Sequence, residues 1–295
     1  MNLTEFFSNN QTLLLDGATG SQLIARGLKP GECPEYWNIS NKENIKAIAS
    51  LYFNAGSDAV LTNTFGGSAI KLKSYGLEDK VYELNFEGAK NAIEAKPSGK
   101  FVLGSIGPTG AMPEPFGDTS ISELTAAFIV QAKALADAGV DAIMLETFTD
   151  ITEVDCALEA IRQYSQLPVI VSLTYGKSPM GYYTMMGTSI EDVVKHLSNS
   201  DVFAIGSNCG NGIENMIEVG KELRSYSEKI KISVKPNAGE PILKDGKTIY
   251  NESPSFFYSK ANELLAFKPS MIGGCCGTTP EHIKMLRKII DENKF

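Results

Sequence analysis

Three cysteines in two glycine-rich segments are the residues of this chain best suited to chemistry. Cys209 lies in Gly206-Ser-Asn-Cys-Gly210, and the adjacent pair Cys275 and Cys276 lies in Gly273-Gly-Cys-Cys-Gly277. Each segment directly follows a short apolar run that is typical of a β-strand. Zinc in proteins prefers tetrahedral nitrogen and sulfur ligands, and catalytic zinc sites keep one position open. The three cysteines therefore predict a zinc site at which an incoming thiol is bound and activated.

The charge of such a site would determine its chemistry. Three thiolates around Zn²⁺ leave one net negative charge, and an incoming thiol would lose its proton and bind as a thiolate. That sulfur would stay nucleophilic at neutral pH, at which a free thiol is mostly protonated. Its attack on an activated methyl group would give a neutral thioether, a weaker ligand that leaves. The alternative is that one or more of the cysteines packs against the interior, because adjacent cysteines are not the common zinc signature.

Eight short apolar runs alternate with longer helical patterns, and these elements must position the cysteines. The predicted strands are Thr12–Asp16, Ala59–Thr62, Phe101–Ile106, Ala142–Glu146, Val169–Thr174, Ala204–Asn208, Ile232–Pro236 and Met271–Cys275. Helical periodicity occurs between them at Asn44–Ala55, Ser122–Ala138, Ile151–Tyr164, Ile190–Leu197, Ile213–Ser227 and Ser255–Ala266. A last helix is predicted with Thr279 as its N-cap residue and Pro280 in its first position.

Continuous apolar strands that alternate with helices predict a parallel sheet covered on both faces. Eight such units in 295 residues fit a (β/α)8 TIM barrel that forms a single domain over residues 1–295, because such barrels take about 250 residues. The competing architecture, a doubly wound open sheet, usually has a glycine-rich phosphate turn after its first strand. The segment Asp16-Gly-Ala-Thr-Gly20 resembles that turn only in part.

Polar side chains gather where the predicted strands end, and TIM barrels carry their active sites at that face. They are Asp16, Asn63, Glu146, Asn208 and Asn237, together with the three cysteines. The turns alone explain many of the glycines at these positions, but they do not explain this set of side chains. We therefore take Asn63 as a candidate substrate-binding residue.

Two carboxylates and one turn on this face suit an amino-acid substrate. Asp16 and Glu146, at the ends of the first and fourth predicted strands, would bind its ammonium group. The backbone amides of Gly17, Ala18 and Thr19 open toward a helix start and would hold its carboxylate. The alternatives are that Asp16 caps a helix and that Glu146 makes a buried hydrogen bond within the barrel.

A segment that follows Asn237 is predicted to fold as a β-hairpin. Leu243–Tyr250 contains Asp245-Gly246, and Asp-Gly is a favoured two-residue hairpin turn. This hairpin would form a flap beside Asn237.

Composition and charge restrict the class of protein. The net charge is −8 and Lys and Arg do not cluster, so nucleic acid is not an expected partner. The first residues lack the pattern of a signal peptide, and no run approaches the roughly 18 apolar residues of a membrane helix. The expectation is a cytoplasmic protein whose five cysteines are free thiols or metal ligands.

Six motifs occur in order along the chain: Leu15-Asp-Gly-Ala-Thr-Gly20, Thr62-Asn-Thr-Phe-Gly66, Gly107-Pro-Thr-Gly110, Glu146-Thr-Phe148, Asn208-Cys209 and Gly273-Gly-Cys-Cys-Gly-Thr-Thr-Pro280. Together they resemble the homocysteine S-methyltransferase family, from about Leu13 to the end of the chain. The resemblance implies a (β/α)8 barrel that holds zinc through Cys209, Cys275 and Cys276. It also implies homocysteine as the thiol, with its amino group near Glu146 and Asp16.

Finer motifs favour one branch of this family. The segments that resemble the homocysteine-binding module of cobalamin-dependent methionine synthase are Gly107-Pro-Thr-Gly110, Pro236-Asn-Ala-Gly-Glu-Pro-Ile242 and Cys276-Gly-Thr-Thr-Pro-Glu-His282. Members that use S-methylmethionine tend to carry arginine after the cysteine pair, where this chain has Gly277. In some members an asparagine that matches Asn237 fills the fourth zinc position in the absence of substrate. Asn237 is therefore a provisional ligand.

The sequence leaves the methyl donor open, because it lacks the Asp-x-His-x-x-Gly cobalamin motif. The first hypothesis is a zinc-dependent methyltransferase that makes methionine from homocysteine, with methylcobalamin supplied by a partner protein or by another part of a longer enzyme. The second keeps the zinc–thiolate chemistry but uses S-methylmethionine, S-adenosylmethionine or another thiol acceptor. The third is a barrel without enzyme activity that stores zinc or senses homocysteine.

Overall fold

Parallel strands curl into a nearly closed barrel that is surrounded by helices. The computed structural model describes residues 2–8, 11–244 and 247–293. Its strands are β1 (Leu13–Leu14), β2 (Ala59–Leu61), β3 (Phe101–Ile106), β4 (Ala142–Phe148), β5 (Val169–Leu173), β6 (Gly176–Ser178), β7 (Gly181–Tyr183), β8 (Ala204–Asn208), β9 (Ile232–Lys235), β10 (Ile242–Lys244), β11 (Lys247–Ile249) and β12 (Met271–Ile272).

Helices follow the strands along the chain. They are α1 (Leu3–Phe7), α2 (Thr19–Ala25), α3 (Trp37–Ser40), α4 (Lys42–Asn54), α5 (Ala69–Lys73), α6 (Val81–Glu94), α7 (Ile121–Ala138), α8 (Ile151–Tyr164), α9 (Ile190–Leu197), α10 (Ile213–Tyr226), α11 (Pro254–Ala266) and α12 (Pro280–Glu292). Two short 3₁₀ turns lie at Pro34–Tyr36 and Glu78–Lys80. Among the described residues, no helix is long and apolar enough to cross a membrane.

Eight of the strands form the barrel, in the order β1-β12-β9-β8-β5-β4-β3-β2. Every neighbouring pair in this order is parallel. The seam between β1 and β2 is bridged by carboxylates, because Leu14 N donates to Asp58 Oδ2 (3.0 Å) and Leu61 N donates to Asp16 Oδ2 (2.7 Å). The predicted (β/α)8 barrel is thus confirmed.

The apolar core has one layer inside the barrel and another between the sheet and its helices. Alternation along β1 shows both layers, since Leu13 and Leu15 join the interior cluster while Leu14 packs with the helices. Leu3 of α1 also joins the interior cluster, and the Phe6 ring packs edge-on against Phe101 at 5.8 Å between ring centroids. α1 therefore fills the amino-terminal end of the barrel and leaves the opposite end for ligands.

The predicted elements match the observed ones closely in the middle of the chain and less well at the barrel mouth. The bounds of β3, β8, α8 and α9 are those predicted, whereas β12 ends at Ile272 and not at Cys275. The short helix α1, the helix α6 and the hairpin of β6 with β7 were not predicted. β10 and β11 form the predicted antiparallel hairpin, but its Asp245-Gly246 turn lies outside the described residues.

Candidate metal and acceptor site

The three candidate ligands meet at the carboxyl-terminal mouth of the barrel. The sulfurs of Cys209, Cys275 and Cys276 all lie within 4.8 Å of one another. The Sγ atoms of Cys209 and Cys276 are 3.8 Å apart. A tetrahedral zinc with Zn–S bonds of about 2.3 Å holds its sulfurs about 3.8 Å apart. The spacing of this pair therefore fits a shared metal ion.

Backbone hydrogen bonds fix the two cysteine segments to the strand between them. Cys209 N donates to Lys235 O (3.2 Å), and Cys275 N donates to Pro236 O (2.8 Å). Cys209 takes a left-handed conformation with φ of 60°, which is uncommon for a residue other than glycine. This conformation turns the chain sharply after β8 and keeps the Cys209 sulfur at the mouth.

The cysteine cluster holds its protons strongly in the absence of a cation. The neighbouring Cys209 sulfur, together with burial, raises the pKa of the Cys275 thiol to about 12. A divalent cation displaces such protons, because only thiolates serve as its ligands. The donor set of three sulfurs fits a soft or borderline cation such as zinc.

Asn208 makes hydrogen bonds that connect the candidate ligand Cys275 to the neighbouring strand ends. Its Oδ1 accepts hydrogen bonds from Thr147 N (2.8 Å) and Ser172 Oγ (2.7 Å), and its Nδ2 donates to Thr147 Oγ1 (2.7 Å). The same Nδ2 also donates to the sulfur of Cys275 at 3.7 Å. Sequence analysis placed Asn208 on the rim without a role, and the structure shows that its side chain contacts Cys275.

Tyr250 lies over the cluster, and sequence analysis missed it. Its phenol is close enough to Cys276 for the two groups to influence each other's pKa. Burial, followed by the nearby charge of Cys276, raises the pKa of Tyr250. The residue directly follows β11, so the predicted hairpin carries the phenol to the sulfurs. The signal available in the sequence was that this hairpin ends in an aromatic residue with a polar tip.

The structure supports Asn237 as a neighbour of the cysteine pair. On one side of Asn237, Pro236 O accepts a hydrogen bond from Cys275 N (2.8 Å). On the other side, Ala238 N donates a hydrogen bond to Cys276 O (2.9 Å). The side chain of Asn237 is buried, and its Oδ1 has no hydrogen-bond partner among the described residues. A buried amide oxygen without a partner is what a provisional metal ligand would leave when no ion is present.

The two predicted carboxylates face each other with an unpredicted lysine between them. Lys235 Nζ lies 3.2 Å from Asp16 Oδ1 and 3.6 Å from Glu146 Oε2. Ser105 Oγ donates to Glu146 Oε1 at 2.5 Å. Burial favours loss of the lysine proton, but the charges of Asp16 and Glu146 outweigh it and raise the pKa of Lys235. A lysine within a predicted buried strand was the sequence signal for this ion pair.

These contacts bear on the two alternatives to substrate binding, which were a helix cap for Asp16 and a buried hydrogen bond for Glu146. Asp16 does not cap α2, whose N-cap position is Ala18, and it instead closes the seam between β1 and β2. Glu146 does make a buried hydrogen bond, to Ser105. Both carboxylates nonetheless lie at the carboxyl ends of their strands, on the same face as the cysteines.

The turn after β1 is firmly held. Ala18 N donates to Thr278 Oγ1 (3.1 Å), and Tyr52 OH donates to Ala18 O (3.0 Å). A Cβ atom on Gly17 would lie 2.8 Å from Thr278 Oγ1, so this close approach requires glycine. The amides of Gly17 and Thr19 remain candidates for an anionic group, whereas the structure already engages the amide of Ala18.

Asn63 is also held by the fold. Its Nδ2 donates to Pro34 O (2.8 Å) and to Asn38 Oδ1 (2.9 Å). Its backbone oxygen accepts from Asn38 Nδ2 (2.7 Å). Both side-chain donors are therefore engaged, and a substrate at the mouth would meet the side-chain oxygen of Asn63.

Two kinds of comparison relate this chain to known sequences. A family model described as homocysteine S-methyltransferase matches residues 13–290. Methionine synthase of Mycobacterium tuberculosis is 31% identical over an alignment of 296 positions that covers 94% of this chain and 24% of that protein. Methionine synthase of Mycobacterium leprae is 31% identical over an alignment of 289 positions that covers 91% of this chain and 23% of that protein. The chain thus spans about a quarter of the length of these relatives.

The fold is also shared with a solved methyltransferase. The metallated form of the homocysteine methyltransferase MmuM from Escherichia coli superposes with a TM-score of 0.80 at 24% identity, over 97% of this chain and 99% of that chain. Its apo form gives a TM-score of 0.73 at the same identity. At 24% identity this structural similarity shows only that the fold is shared. The assignment of the chain to a family therefore rests on the family model. The chain therefore belongs to the homocysteine S-methyltransferase family.

Proposed function

We propose that this chain is a zinc-dependent methyltransferase that transfers a methyl group to the sulfur of homocysteine and forms methionine. The observation that carries the proposal is the cluster of Cys209, Cys275 and Cys276, whose sulfurs lie within 4.8 Å of one another at the barrel mouth. Zinc held there supplies a site where the acceptor thiol binds as a thiolate at neutral pH.

The chain's own residues position the acceptor and the ligands. Asn208 donates a hydrogen bond to the sulfur of Cys275, and the phenol of Tyr250 lies near Cys276; such partners orient metal ligands. The residues that bind the amino-acid part of homocysteine are Asp16, Gly17, Thr19, Asn63 and Glu146. Ala18 lies in the same turn, but its amide already donates to Thr278. Asn237, whose buried Oδ1 has no hydrogen-bond partner among the described residues, would be the provisional fourth ligand before homocysteine arrives.

Methyl transfer is a direct displacement at carbon. The acceptor sulfur forms a bond to the methyl carbon while the bond from methyl to donor breaks, and its electron pair leaves with the donor. The product thioether is neutral and binds metal more weakly than a thiolate does, so methionine leaves. No general base would be needed during this step, because a thiol held by zinc would already have released its proton to solvent.

The proposed donor is methylcobalamin on a partner protein or on another part of a longer enzyme. The methionine synthases that the chain matches are about four times its matched length, which supports a donor carried outside this barrel. The second candidate is a small donor used directly, S-methylmethionine or S-adenosylmethionine. The match to MmuM favours this candidate, because this barrel covers 99% of the solved MmuM chain and that chain therefore adds no further domain to carry a donor.

The test begins with purified protein whose zinc content is measured. The protein is incubated with homocysteine and, in parallel, with methylcobalamin, S-methylmethionine or S-adenosylmethionine, and the methionine formed is quantified. Methionine from methylcobalamin alone supports the proposed donor. Methionine from a sulfonium alone contradicts that donor while the zinc–thiolate chemistry stands.

Two alanine variants test the metal site. Cys209→Ala is expected to lose both zinc and turnover. Cys156→Ala is the matched control, because Cys156 is buried in α8 outside the cluster, and it is expected to keep both. A Cys209→Ala protein that retains zinc and turnover would contradict the proposed function.

A further inference from the structure

A cleft lies at the amino-terminal end of the barrel, the end opposite to the cysteines. Three connections form it, those that lead into β5, β8 and β9. Its lining residues are Arg162, residues 166–169, residues 201–203 and Lys231. The cleft has a volume of about 270 Å³, whereas a single water needs about 10–15 Å³. We call it the basal cleft, and it has room for a small molecule.

The guanidinium of Arg162 is fixed in the wall of the basal cleft. Its Nη1 donates to Leu167 O (2.9 Å), and its Nη2 donates to Asp201 O (2.6 Å). A guanidinium has five N–H donors in a planar fork and no acceptor, so three donors stay unused among the described residues. Backbone carbonyls carry no net charge. These two bonds therefore hold the cation in place without neutralising it.

Lys231 is held in the same cleft by an aromatic ring. Its Nζ lies 4.6 Å from the centroid of the Phe203 ring, which is a cation–π contact. The ring of Phe7 in α1 packs against Phe203 from another side, with 5.4 Å between the ring centroids. Within the part of the chain that the structure describes, Lys231 has no ion pair and its ammonium donates no hydrogen bond. Its three N–H donors are therefore available to a ligand.

The charge of the basal cleft is positive, although the chain as a whole carries a net charge of −8. Arg162 and Lys231 are two cations, and Asp201 is the one carboxylate among the lining residues. The side chain of Asp201 is 94% exposed, and its Oδ2 lies 3.7 Å from Arg162 Nη2, beyond hydrogen-bond length. Such an exposed ion pair contributes little. A cleft lined by one sign of charge concentrates ions of the opposite sign, so this cleft attracts anions.

We propose that the basal cleft binds a small oxyanion, a carboxylate or a phosphate group, through Arg162 and Lys231. The planar fork of an arginine matches both of these groups. The ammonium of Lys231 adds a second charge-assisted donor from another connection. This proposal does not rest on the proposed function, because the basal cleft and the cysteine cluster lie at opposite ends of the barrel.

The test is calorimetric titration of the purified full chain with inorganic phosphate and, separately, with succinate. The ionic strength is held constant with chloride, because salt screens exposed charges. Neither a thiol nor a methyl donor is present, so the result is independent of methyl transfer. Wild-type protein is expected to bind one of the two anions at one site per chain. Preference for phosphate or for succinate identifies the group that the cleft takes, and no binding of either would overturn the proposal.

Lys231→Met is expected to weaken binding of the preferred anion about tenfold, because a hydrogen bond between two charged groups is lost. Lys231→Arg keeps the charge and is expected to keep most of the affinity. The matched control is Lys229→Met, which removes the same charge from an exposed residue of the same connection that does not line the cleft. Its dissociation constant should stay unchanged. An equal loss in Lys231→Met and Lys229→Met would show only a general effect of charge and would overturn the site.

A variant of opposite sign guards against a loss of binding through misfolding. Asp201→Asn removes the competing carboxylate from an exposed position, and it is expected to bind the anion about twofold more tightly. Arg162 is left in place, because its bonds tie two connections together and its removal would confuse unfolding with loss of binding. The Tm of each variant is measured without anion. Folded Lys231→Met and Asp201→Asn proteins that both bind like wild type would overturn the proposal.

Discussion

The ring of Tyr250 occupies the space that a side chain at Gly277 would need. A Cβ atom added to Gly277 would overlap Cγ of Tyr250, and Gly277 has a left-handed φ of 78°. The glycine that follows the cysteine pair therefore allows Tyr250 to approach Cys276. This relationship connects the hairpin of β10 and β11 to the metal site, although the two are distant in sequence.

Gly277→Ala is expected to lower both stability and zinc affinity. The added methyl group meets the Tyr250 ring and strains a left-handed backbone, and the strain alone costs about 1 kcal/mol or more. The measurements are urea unfolding and a zinc competition assay. Gly139→Ala is the control, since Gly139 has φ of 90° but no atom within 4 Å of the added Cβ. It should lose stability and keep its zinc affinity, and an equal loss of affinity in both variants would contradict the role of Tyr250.

Tyr250→Phe is expected to weaken zinc binding about tenfold with little change in melting temperature. The substitution removes the hydroxyl that interacts with Cys276, and partners that orient metal ligands are typically worth 10–100-fold in affinity. Zinc affinity and Tm are measured on the same preparation. Tyr258→Phe removes a hydroxyl that bonds the exposed Glu292 and serves as the control. Equal zinc affinity in the two variants would show that the phenol does not support the ligands.

Asn208→Ala is expected to reduce both stability and zinc affinity. Removal of the side chain leaves Thr147 N and Ser172 Oγ without their partner, and each buried polar group left unpaired costs about 1–3 kcal/mol. It also removes the donor to Cys275. Unfolding and zinc competition separate the two effects.

The matched control for that variant is Asn91→Ala. Asn91 is also buried, and its side chain donates to Asn38 O (2.9 Å) in a different part of the fold. This variant should lose stability without a change in zinc affinity. If both variants affected zinc equally, the loss in Asn208→Ala would reflect general destabilisation and not ligand orientation.

The sequence predicts the barrel and the meeting of its cysteines because both depend on local patterns. Strand runs and glycine-rich turns place Cys209 and Cys275 at the ends of the two strands that flank β9 once the barrel closes. The role of Lys235 was not predicted, because in sequence an isolated lysine in a strand resembles a solvent-exposed residue. Only the folded barrel places Asp16 and Glu146 beside it. Tyr250 escaped prediction because its contact with Cys276 depends on how the hairpin folds back over the mouth, which no local pattern encodes.

The last prediction concerns the loop Gly107–Gly110, which a buried carboxylate holds at the mouth. Glu153 Oε1 accepts from Thr109 N (2.7 Å) and Thr109 Oγ1 (2.5 Å), and burial raises the pKa of Glu153. A carboxyl group whose pKa is raised by folding contributes stability that is full below its unfolded pKa and is lost as pH rises through its folded pKa.

Glu153→Gln should therefore gain stability relative to wild type as pH rises from about 4 to about 8, because wild type must then bury a charge. The measurement is urea unfolding of both proteins across this range. Glu123→Gln provides a control of opposite sign, since hydrogen bonds from Ser120 lower the pKa of the exposed Glu123. That variant should lose stability relative to wild type over the same range. Parallel pH profiles for the Glu153→Gln variant and wild type would mean that burial of Glu153 does not oppose its ionisation.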